Sequence, residues 1–339
     1  MSLISQRILL VLTVLALTCS ANAQDGLKNL EGKIVIDGSS TVAPISIEAA
    51  DRFLKKCPNV KVNVGVSGTG GGFKRFTVGE TDVSDASRPI KAKEFKKCVE
   101  NNVEFVELPV AYDGLTIVIN KKNTWAHTLT VDQLKMIFRD DIKAKKWSDV
   151  DKSWPDEKIK MFAPGTDSGT FDYFKEIVVG KEEASIRDDM SVSEDDNILV
   201  NGVANSEFSI GFFGAAYYFE NTDKLQACKV VNKAGKAVGP SPSAIENGNY
   251  NPFSRPLFIY VNAKALRRPE VKTFVKFYLE NAADIAEEVG YVGLPEEIAD
   301  AAMSRFRGKK TGTHFINDKH EKRSGPVTEL YSEKNLIKR

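Results

Sequence analysis

The chain has 339 residues, 42% of them hydrophobic and 27% charged, with a formal net charge of +1. This composition is that of a soluble globular protein with room for two domains. Nucleic-acid interfaces need a concentrated positive surface, and the near-zero charge, without a basic stripe before the C-terminal segment, argues against that class of protein.

The first 23 residues predict an export signal. Arg7 is followed by an apolar run over residues 8–17, and a small-x-small cleavage pattern ends at Ala23. The apolar run is too short for a membrane span. We therefore expect a signal peptide over 1–23, a mature chain that begins near Gln24, and a periplasmic location.

The four cysteines leave two questions open. Lipoprotein processing at Cys19 is the alternative to a cleaved signal peptide, although Thr18 before it matches that pattern poorly. Export permits disulfides. Cys57 and Cys98 each end a predicted helix and are the candidates for a disulfide, which would leave Cys228 free. The cysteine spacing and the three histidines predict no metal site, and no cofactor is expected.

Strand, loop and helix patterns alternate along the first part of the chain. Strands are predicted at Lys33–Ile36 and Val60–Val66, and the apolar residues from Val42 to Phe53 recur at helical spacing. After a glycine-rich segment, helices are predicted over Phe73–Val78 and Lys91–Val99. This alternation is typical of an α/β sheet.

Two long apolar segments, 108–122 and 251–265, are predicted to carry the chain between two lobes. The chain would leave lobe one, build lobe two and return, which favours an α/β fold with a ligand cleft between the lobes. The expected domains are 24–110 with 256–308 as lobe one, 111–255 as lobe two, and 309–339 as a charged tail that is mobile or peripheral.

Four segments share one plan, in which a strand leads into small hydroxyl residues and glycine and then into a helix. A helix N-terminus presents unpaired N–H groups and partial positive charge, which makes it an anion site. Glycine lets the backbone approach a ligand, and Ser and Thr add donors. One such segment is as well explained by ordinary helix capping. Four of them in two lobes predict a small oxyanion site; they are 37–41, 67–72, 84–88 and 165–170.

Nucleotide and hydrolase motifs do not fit these segments. A G-x-G-x-x-G motif begun at Gly68 would need glycine where Phe73 stands, and no P-loop is present. Ser168 lies one position late for the G-x-S-x-G turn of esterases, and the three histidines lack a supporting motif. We therefore expect a binding protein and not an enzyme.

Together the segments DGSSTVAPI, SGTGGGFKRF, DVSDASRPI and APGTDSGTFDYF resemble the periplasmic phosphate-binding protein of the phosphate-specific ABC transporter. The resemblance runs from about residue 33 to 308. It implies a two-lobed type II periplasmic-binding fold with two hinge crossover strands, which holds inorganic phosphate in the cleft. It also implies a monomer that delivers phosphate to an inner-membrane ABC permease. The alternatives are another small oxyanion or a phosphate monoester as ligand, or a secreted phosphate scavenger without a transporter.

The resemblance also implies which residues contact phosphate. In the glycine-rich segment Thr69 and Gly70 match the family pattern, with Ser67 as a rival. The other three segments contribute Ser40 and Thr41, then Asp85, then Ser168, Gly169 and Thr170.

The sequence departs from the family at one position. Many members carry an arginine just before Ser-Gly-Thr, and Pro164 stands there instead. The hypothesis is that Arg88 supplies the guanidinium from the other lobe, oriented by Asp167, because a planar fork suits a tetrahedral oxyanion. The alternative is that Arg88 lies on the surface and caps a turn.

Asp85 is the predicted source of discrimination against sulfate. Phosphate near neutral pH keeps a proton that an ionised carboxylate accepts, whereas sulfate has none to donate. An unpaired buried polar group costs a few kcal/mol, enough to discriminate. The alternative role of Asp85 is an N-cap for the following helix.

Overall fold

The computed structural model describes residues 27–338 except 167, 181–183, 194 and 324. The predicted signal peptide, its cleavage near Gln24, Cys19 and the orienting role of Asp167 therefore lie outside the described residues. The strands are β1 (Gly32–Gly38), β2 (Val60–Val66), β3 (Val83–Ala86), β4 (Phe105–Asn120), β5 (Thr128–Leu129), β6 (Lys160–Pro164), β7 (Ser191–Ser193), β8 (Ser209–Gly214), β9 (Leu225–Ala227), β10 (Lys229–Val231), β11 (Ala237–Val238) and β12 (Ser254–Asn262). The helices are α1 (Ala43–Leu54), α2 (Gly68–Phe76), α3 (Ala92–Glu100), α4 (Val131–Phe138), α5 (Trp147–Val150), α6 (Gly169–Val178), α7 (Asp196–Ala204), α8 (Ala215–Glu220), α9 (Pro242–Glu246), α10 (Pro269–Glu288), α11 (Glu296–Gly308) and α12 (Val327–Leu330).

The predicted α/β class is confirmed by one long mixed sheet. Its strands lie in the order β2-β1-β3-β12-β4-β8-β6-β7, and β9 pairs with β4. β1 is parallel to β2 and β3, and β6 is parallel to β7 and β8, whereas β4 and β12 run antiparallel to their neighbours. A small second sheet has the order β11-β10-β5.

The two predicted crossover segments form β4 and β12 at the centre of this sheet. β4 is buried along all of its 16 residues. Its first part pairs with β12, and from Leu115 onward it pairs with β8. We call the β2, β1, β3 and β12 side of the sheet lobe one, and the β8, β6, β7 and β9 side lobe two. Since only β4 and β12 continue through the middle, both lobes are built on these strands.

The glycine-rich segment is not the loop that its composition predicts. It forms the first turns of α2, which begins at Gly68 and not at Phe73. A Cβ on Gly72 would lie 2.6 Å from the Cα of Gly38 and 2.9 Å from the carbonyl oxygen of Asp37. Glycine is needed there because the helix backbone lies directly against the end of β1, and this packing outweighs the low helix propensity of glycine.

The candidate disulfide between Cys57 and Cys98 does not form: both cysteines are free and buried, as is Cys228. The reason is topological. The β1-α1-β2 and β2-α2-β3 crossovers run in opposite directions along the sheet, so right-handed connections place their helices on opposite faces. Cys57 follows α1, whereas Cys98 lies in α3, on the same face as α2. The sheet therefore separates the two thiols.

The C-terminal segment is not peripheral as expected but packs against lobe one. The buried Glu107 carboxylate of β4 accepts hydrogen bonds from the Thr313 hydroxyl at 2.6 Å and from the His314 backbone N–H at 3.0 Å. The Tyr331 hydroxyl donates to the Glu107 carbonyl at 2.7 Å. The charged composition of the C-terminal segment gave no indication of these buried hydrogen bonds. None of the helices in the described part of the chain combines the length and apolar character of a membrane span.

Candidate functional site

A cavity of about 220 Å³ lies between the lobes. Its wall combines the turn between β1 and α1, the start of α2, the segment after β3, three residues of α6 and one residue of β12, so that both lobes and the crossover contribute. The lining residues are Ser39, Ser40, Thr41, Thr69, Ser87, Arg88, Asp172, Tyr173, Glu176 and Arg255.

The predicted first segment reaches this cavity as a tight turn between β1 and α1. The Ser39 carbonyl accepts the N–H groups of Val42 and Ala43 at 3.2 and 3.0 Å, which closes the turn, and the Ser39 N–H donates to the Asp85 carbonyl of β3 at 3.0 Å. Within the described residues, the N–H groups of Ser40 and Thr41 donate to no protein group. The turn therefore presents two backbone donors at the N-terminus of α1, where the helix dipole favours an anion.

The second and third segments contribute a pair of hydroxyls. Thr69 Oγ1 lies 3.0 Å from Ser87 Oγ and accepts the Ser87 N–H at 3.2 Å. Thr69 lines the cavity, whereas Ser67 and Gly70 are exposed beside it. A Cβ on Gly70 would meet nothing within 4 Å, so this stretch of α2 borders open space. Because one hydroxyl donates to the other, one O–H proton of the pair stays available to a ligand.

The fourth segment begins α6 of lobe two and lies against the first. Ser168 caps the helix by accepting the Thr170 N–H at 3.2 Å. A Cβ on Gly169 would lie 2.9 Å from the Cα of Thr41. Asp172 Oδ2 lies 3.5 Å from Ser40 Oγ, so the two lobes touch beside the cavity.

Arg255 of β12 also lines the cavity, and the sequence analysis did not predict it as a site residue. It donates from Nε to Asp113 Oδ2 at 3.1 Å, and from Nη2 to Thr41 Oγ1 at 2.9 Å. Nη1 lies 3.3 Å from Glu176 Oε2, and the guanidinium stacks on the Tyr173 ring at 3.6 Å. Since Thr41 Oγ1 accepts from Arg255, the Thr41 hydroxyl proton is free for a ligand.

Arg88 also lines the cavity, but its fork is engaged. Its Nη1 and Nη2 donate to the two carboxylate oxygens of Glu94 at 2.9 and 2.8 Å, and it lies over the Phe73 ring. Glu94 is the N3 residue of α3 and also accepts the Lys91 N–H. Arg88 is therefore a cation of the cavity wall whose bidentate face is turned toward α3.

Asp85 lies beneath the cavity, and its carboxyl does not contribute to the described wall. The side chain is fully buried; Oδ1 accepts from Ser46 Oγ at 3.0 Å, while Oδ2 has no partner among the described residues. Burial raises the pKa of Asp85 to about 8, against the hydrogen bond from Ser46 and with a further increase from Asp37. An acid with this pKa is mostly protonated at neutral pH.

The carboxylates that do face the cavity belong to lobe two. Asp172 and Glu176 are solvent-exposed, one turn apart on α6. Asp113, behind Arg255, is fully buried, and burial raises its pKa although the Arg255 guanidinium opposes the shift. The wall thus combines backbone and hydroxyl donors, the guanidinium of Arg255 and two carboxylate acceptors, which suits a small, partly protonated oxyanion.

Five lining residues besides Arg255 were also not predicted, and none has a separate signal in the sequence: Ser39, Ser87, Asp172, Tyr173 and Glu176. Ser39 and Ser87 are neighbours of predicted residues. Asp172 and Tyr173 stand one helical turn after Ser168, and that spacing could have placed them on the wall once a helix was predicted there.

Comparisons with known proteins cover most of the chain. Residues 23–282 match the family model of the PBP superfamily domain. The chain is 50% identical over 284 residues to the protein SphX of Synechococcus elongatus, covering 83% of each chain. It is 41% identical over 271 residues to the phosphate-binding protein PstS of Staphylococcus haemolyticus, covering 80% of this chain and 84% of that one. The crystal structure of a possible phosphate binding protein from Planctomyces limnophilus superposes with a TM-score of 0.80 at 47% identity, covering 83% of this chain and all of that one.

Proposed function

Because the chain belongs to the PBP superfamily and, within it, to the PstS-like phosphate-binding proteins, we propose that it captures inorganic phosphate in the cavity between its lobes. The family is one of binding proteins with a two-lobed type II fold, and the protein is not an enzyme. The bound phosphate is handed to the permease of an ABC transporter, outside the cytoplasm, by a monomeric protein that an N-terminal signal exports.

The observation that carries this proposal is the position of Arg255. Its guanidinium is held by Asp113 of the neighbouring crossover strand, by Thr41 of lobe one and by the Tyr173 ring of lobe two. It therefore stands where the N-termini of α1 and α6 meet. An arginine fork beside two helix N-termini is a strong arrangement for a tetrahedral anion.

The proposed ligands of phosphate follow from the free donors. The backbone N–H groups of Ser40 and Thr41, the Thr41 hydroxyl and the hydroxyl pair of Thr69 and Ser87 contribute from lobe one. Ser168, Gly169 and Thr170 contribute the start of α6. Arg255 supplies the guanidinium that Pro164 does not, and Arg88 adds positive charge while Glu94 holds its fork.

Discrimination against sulfate is assigned to Asp172 and Glu176, because these carboxylates face the cavity. Phosphate near neutral pH donates a proton to such an acceptor, whereas sulfate places charge against charge. Asp85, below the wall, supports the turn before α1 through its carbonyl oxygen, which accepts the Ser39 N–H.

Calorimetry on ligand-stripped protein tests the proposal. The titrants are phosphate, arsenate, sulfate and a sugar phosphate. We expect tight binding of phosphate and arsenate and much weaker binding of sulfate. Equal affinity for sulfate would contradict the assigned acceptors, and absence of phosphate binding would contradict the function. Turnover in a phosphatase assay would contradict the assignment as a binding protein.

A further inference from the structure

A second and larger cavity adjoins the proposed phosphate site. It has a volume of about 620 Å³ and lies between the C-terminal segment on lobe one and the segment 233–251 of lobe two. Arg255 lines both cavities, so it forms their common wall. We call this second cavity the basic groove, for its three further cations Lys233, Lys322 and Arg323.

The charges of the basic groove are unbalanced. Within the part of the chain that the structure describes, none of its three further cations forms an ion pair with a carboxylate. Arg323 is held by the carbonyl oxygen of His314 at 3.1 Å and by that of Asn335, which leaves its charge uncompensated. Glu246 is the one carboxylate in the described wall. Three unpaired cations against one carboxylate favour an anionic occupant.

The basic groove does not result from a separation of the two lobes. The lobes touch at Gly169 and Thr41 and at Ser40 and Asp172, beside the proposed phosphate site. The basic groove remains open next to these contacts. Arg255 thus borders both the proposed phosphate site and the basic groove while the lobes are in contact.

From this juxtaposition we infer that the cleft also binds condensed phosphates, with the second phosphoryl group of a pyrophosphate or short polyphosphate in the basic groove. The inference rests on the proposed function, since the first phosphoryl group occupies the proposed orthophosphate site. It extends the ligand class from orthophosphate to linear phosphoanhydrides. Lys233 of lobe two and Lys322 of the C-terminal segment are exposed side chains that line the groove. Their ammonium groups act as point charges on flexible stems, which suits binding of a flexible, charged phosphate chain.

The test is calorimetric titration of orthophosphate and of inorganic pyrophosphate into the full protein and two double variants. Lys233→Ala with Lys322→Ala removes groove charge and leaves Arg323, which has structural hydrogen bonds. Lys61→Ala with Lys272→Ala is the matched control, because both lysines are exposed, lie outside the described groove wall and cause the same change of net charge.

We expect the wild type to bind both anions. The Lys233→Ala, Lys322→Ala variant should bind pyrophosphate about tenfold more weakly than the wild type, because two solvent-exposed charges each contribute modestly. Its affinity for orthophosphate should be unchanged. The control should bind both as the wild type does.

Three results would overturn the inference: orthophosphate binding without pyrophosphate binding, equal loss of both anions in the groove variant, or equal loss of pyrophosphate in the two double variants. Failure of the proposed function itself is recognised separately, because orthophosphate would then not bind the wild type.

Discussion

Asp113 and Arg255 face each other as a register pair of the two crossover strands, with Arg255 Nε 3.1 Å from the Asp113 carboxylate. The pair lies where the lobes join, and it is the point from which the guanidinium reaches into the cleft. Because the aspartate is fully buried, the arginine is both its counter-charge and the link to Thr41 and Tyr173. The hinge strands thus position the cation of the proposed phosphate site.

Replacing Arg255 with Lys tests that link. The variant keeps a positive charge near Asp113 but loses the fork that contacts Thr41 and the cleft together. We expect phosphate affinity to fall about tenfold to a hundredfold, because hydrogen bonds to charged groups contribute about 1.5–3 kcal/mol. Calorimetry measures it, with Arg307→Lys on the exposed face of α11 as the control. Wild-type affinity in Arg255→Lys would remove Arg255 from the site.

Replacing Asp85 with Asn tests the role of its raised pKa. Between the unfolded pKa near 4 and the folded pKa of about 8, the folded protein holds a proton that the unfolded chain has released. The free energy of unfolding therefore falls as pH rises through this range, by up to about 1.4 kcal/mol per pH unit.

Asparagine cannot release this proton, so the stability of Asp85→Asn relative to wild type should increase from pH 5 to pH 8. Urea unfolding at several pH values measures the difference, with Asp51→Asn as an exposed control. Parallel pH profiles of wild type and Asp85→Asn would contradict the buried, protonated state.

The same variant separates two accounts of sulfate discrimination. If Asp85 contacts phosphate directly, as the motif resemblance implies, Asp85→Asn weakens the preference for phosphate over sulfate. The position of its carboxyl beneath the wall instead predicts an unchanged ratio of affinities, with Asp172→Asn and Glu176→Gln lowering it. Competition calorimetry with both anions decides between them.

Local patterns predicted much of the fold. The alternation in Val60–Val66 coincides with β2, and the helical spacing of Val42 to Phe53 corresponds to α1, because side-chain periodicity reports which face is buried. Arg255 had no such signal. Its partner Asp113 is 142 residues away, and only the pairing of β4 with β12 brings them together.

The remaining errors share this long-range origin. Gly72 lies in a helix whose backbone packs directly against the end of β1. Helix propensity is a local property and does not predict this contact. Arg88 lies in a segment that was predicted to bind the anion, but its guanidinium donates both hydrogen bonds to the Glu94 carboxylate. In the charged C-terminal segment, average polarity conceals Thr313 and His314, whose partner Glu107 lies about 200 residues earlier.

Replacing Glu107 with Ala tests how the C-terminal segment is held. The Thr313 hydroxyl, the His314 N–H and the Tyr260 hydroxyl, which lies 2.9 Å from Oε2, would lose their acceptor inside the protein. We expect the free energy of unfolding to fall by about 2–4 kcal/mol, since unsatisfied buried donors are costly. Chemical denaturation measures it, with Glu104→Ala as an exposed control on the same stretch of chain. A loss no greater than in the control would mean that the segment is held by apolar contacts alone.

Replacing Gly169 with Ala tests whether the observed contact between the lobes belongs to the phosphate-bound state. The added Cβ would lie 2.9 Å from the Cα of Thr41 and 3.2 Å from its Oγ1, so the lobes must separate slightly or α6 must shift. Because Gly169 is only half-buried at the start of α6, we expect weaker phosphate binding with little loss of stability. Calorimetry and thermal unfolding measure the two effects, and Gly239→Ala is the control because its Cβ would meet nothing closer than 3.8 Å. Full affinity in Gly169→Ala would show that phosphate binds without this contact between the first turns of α1 and α6.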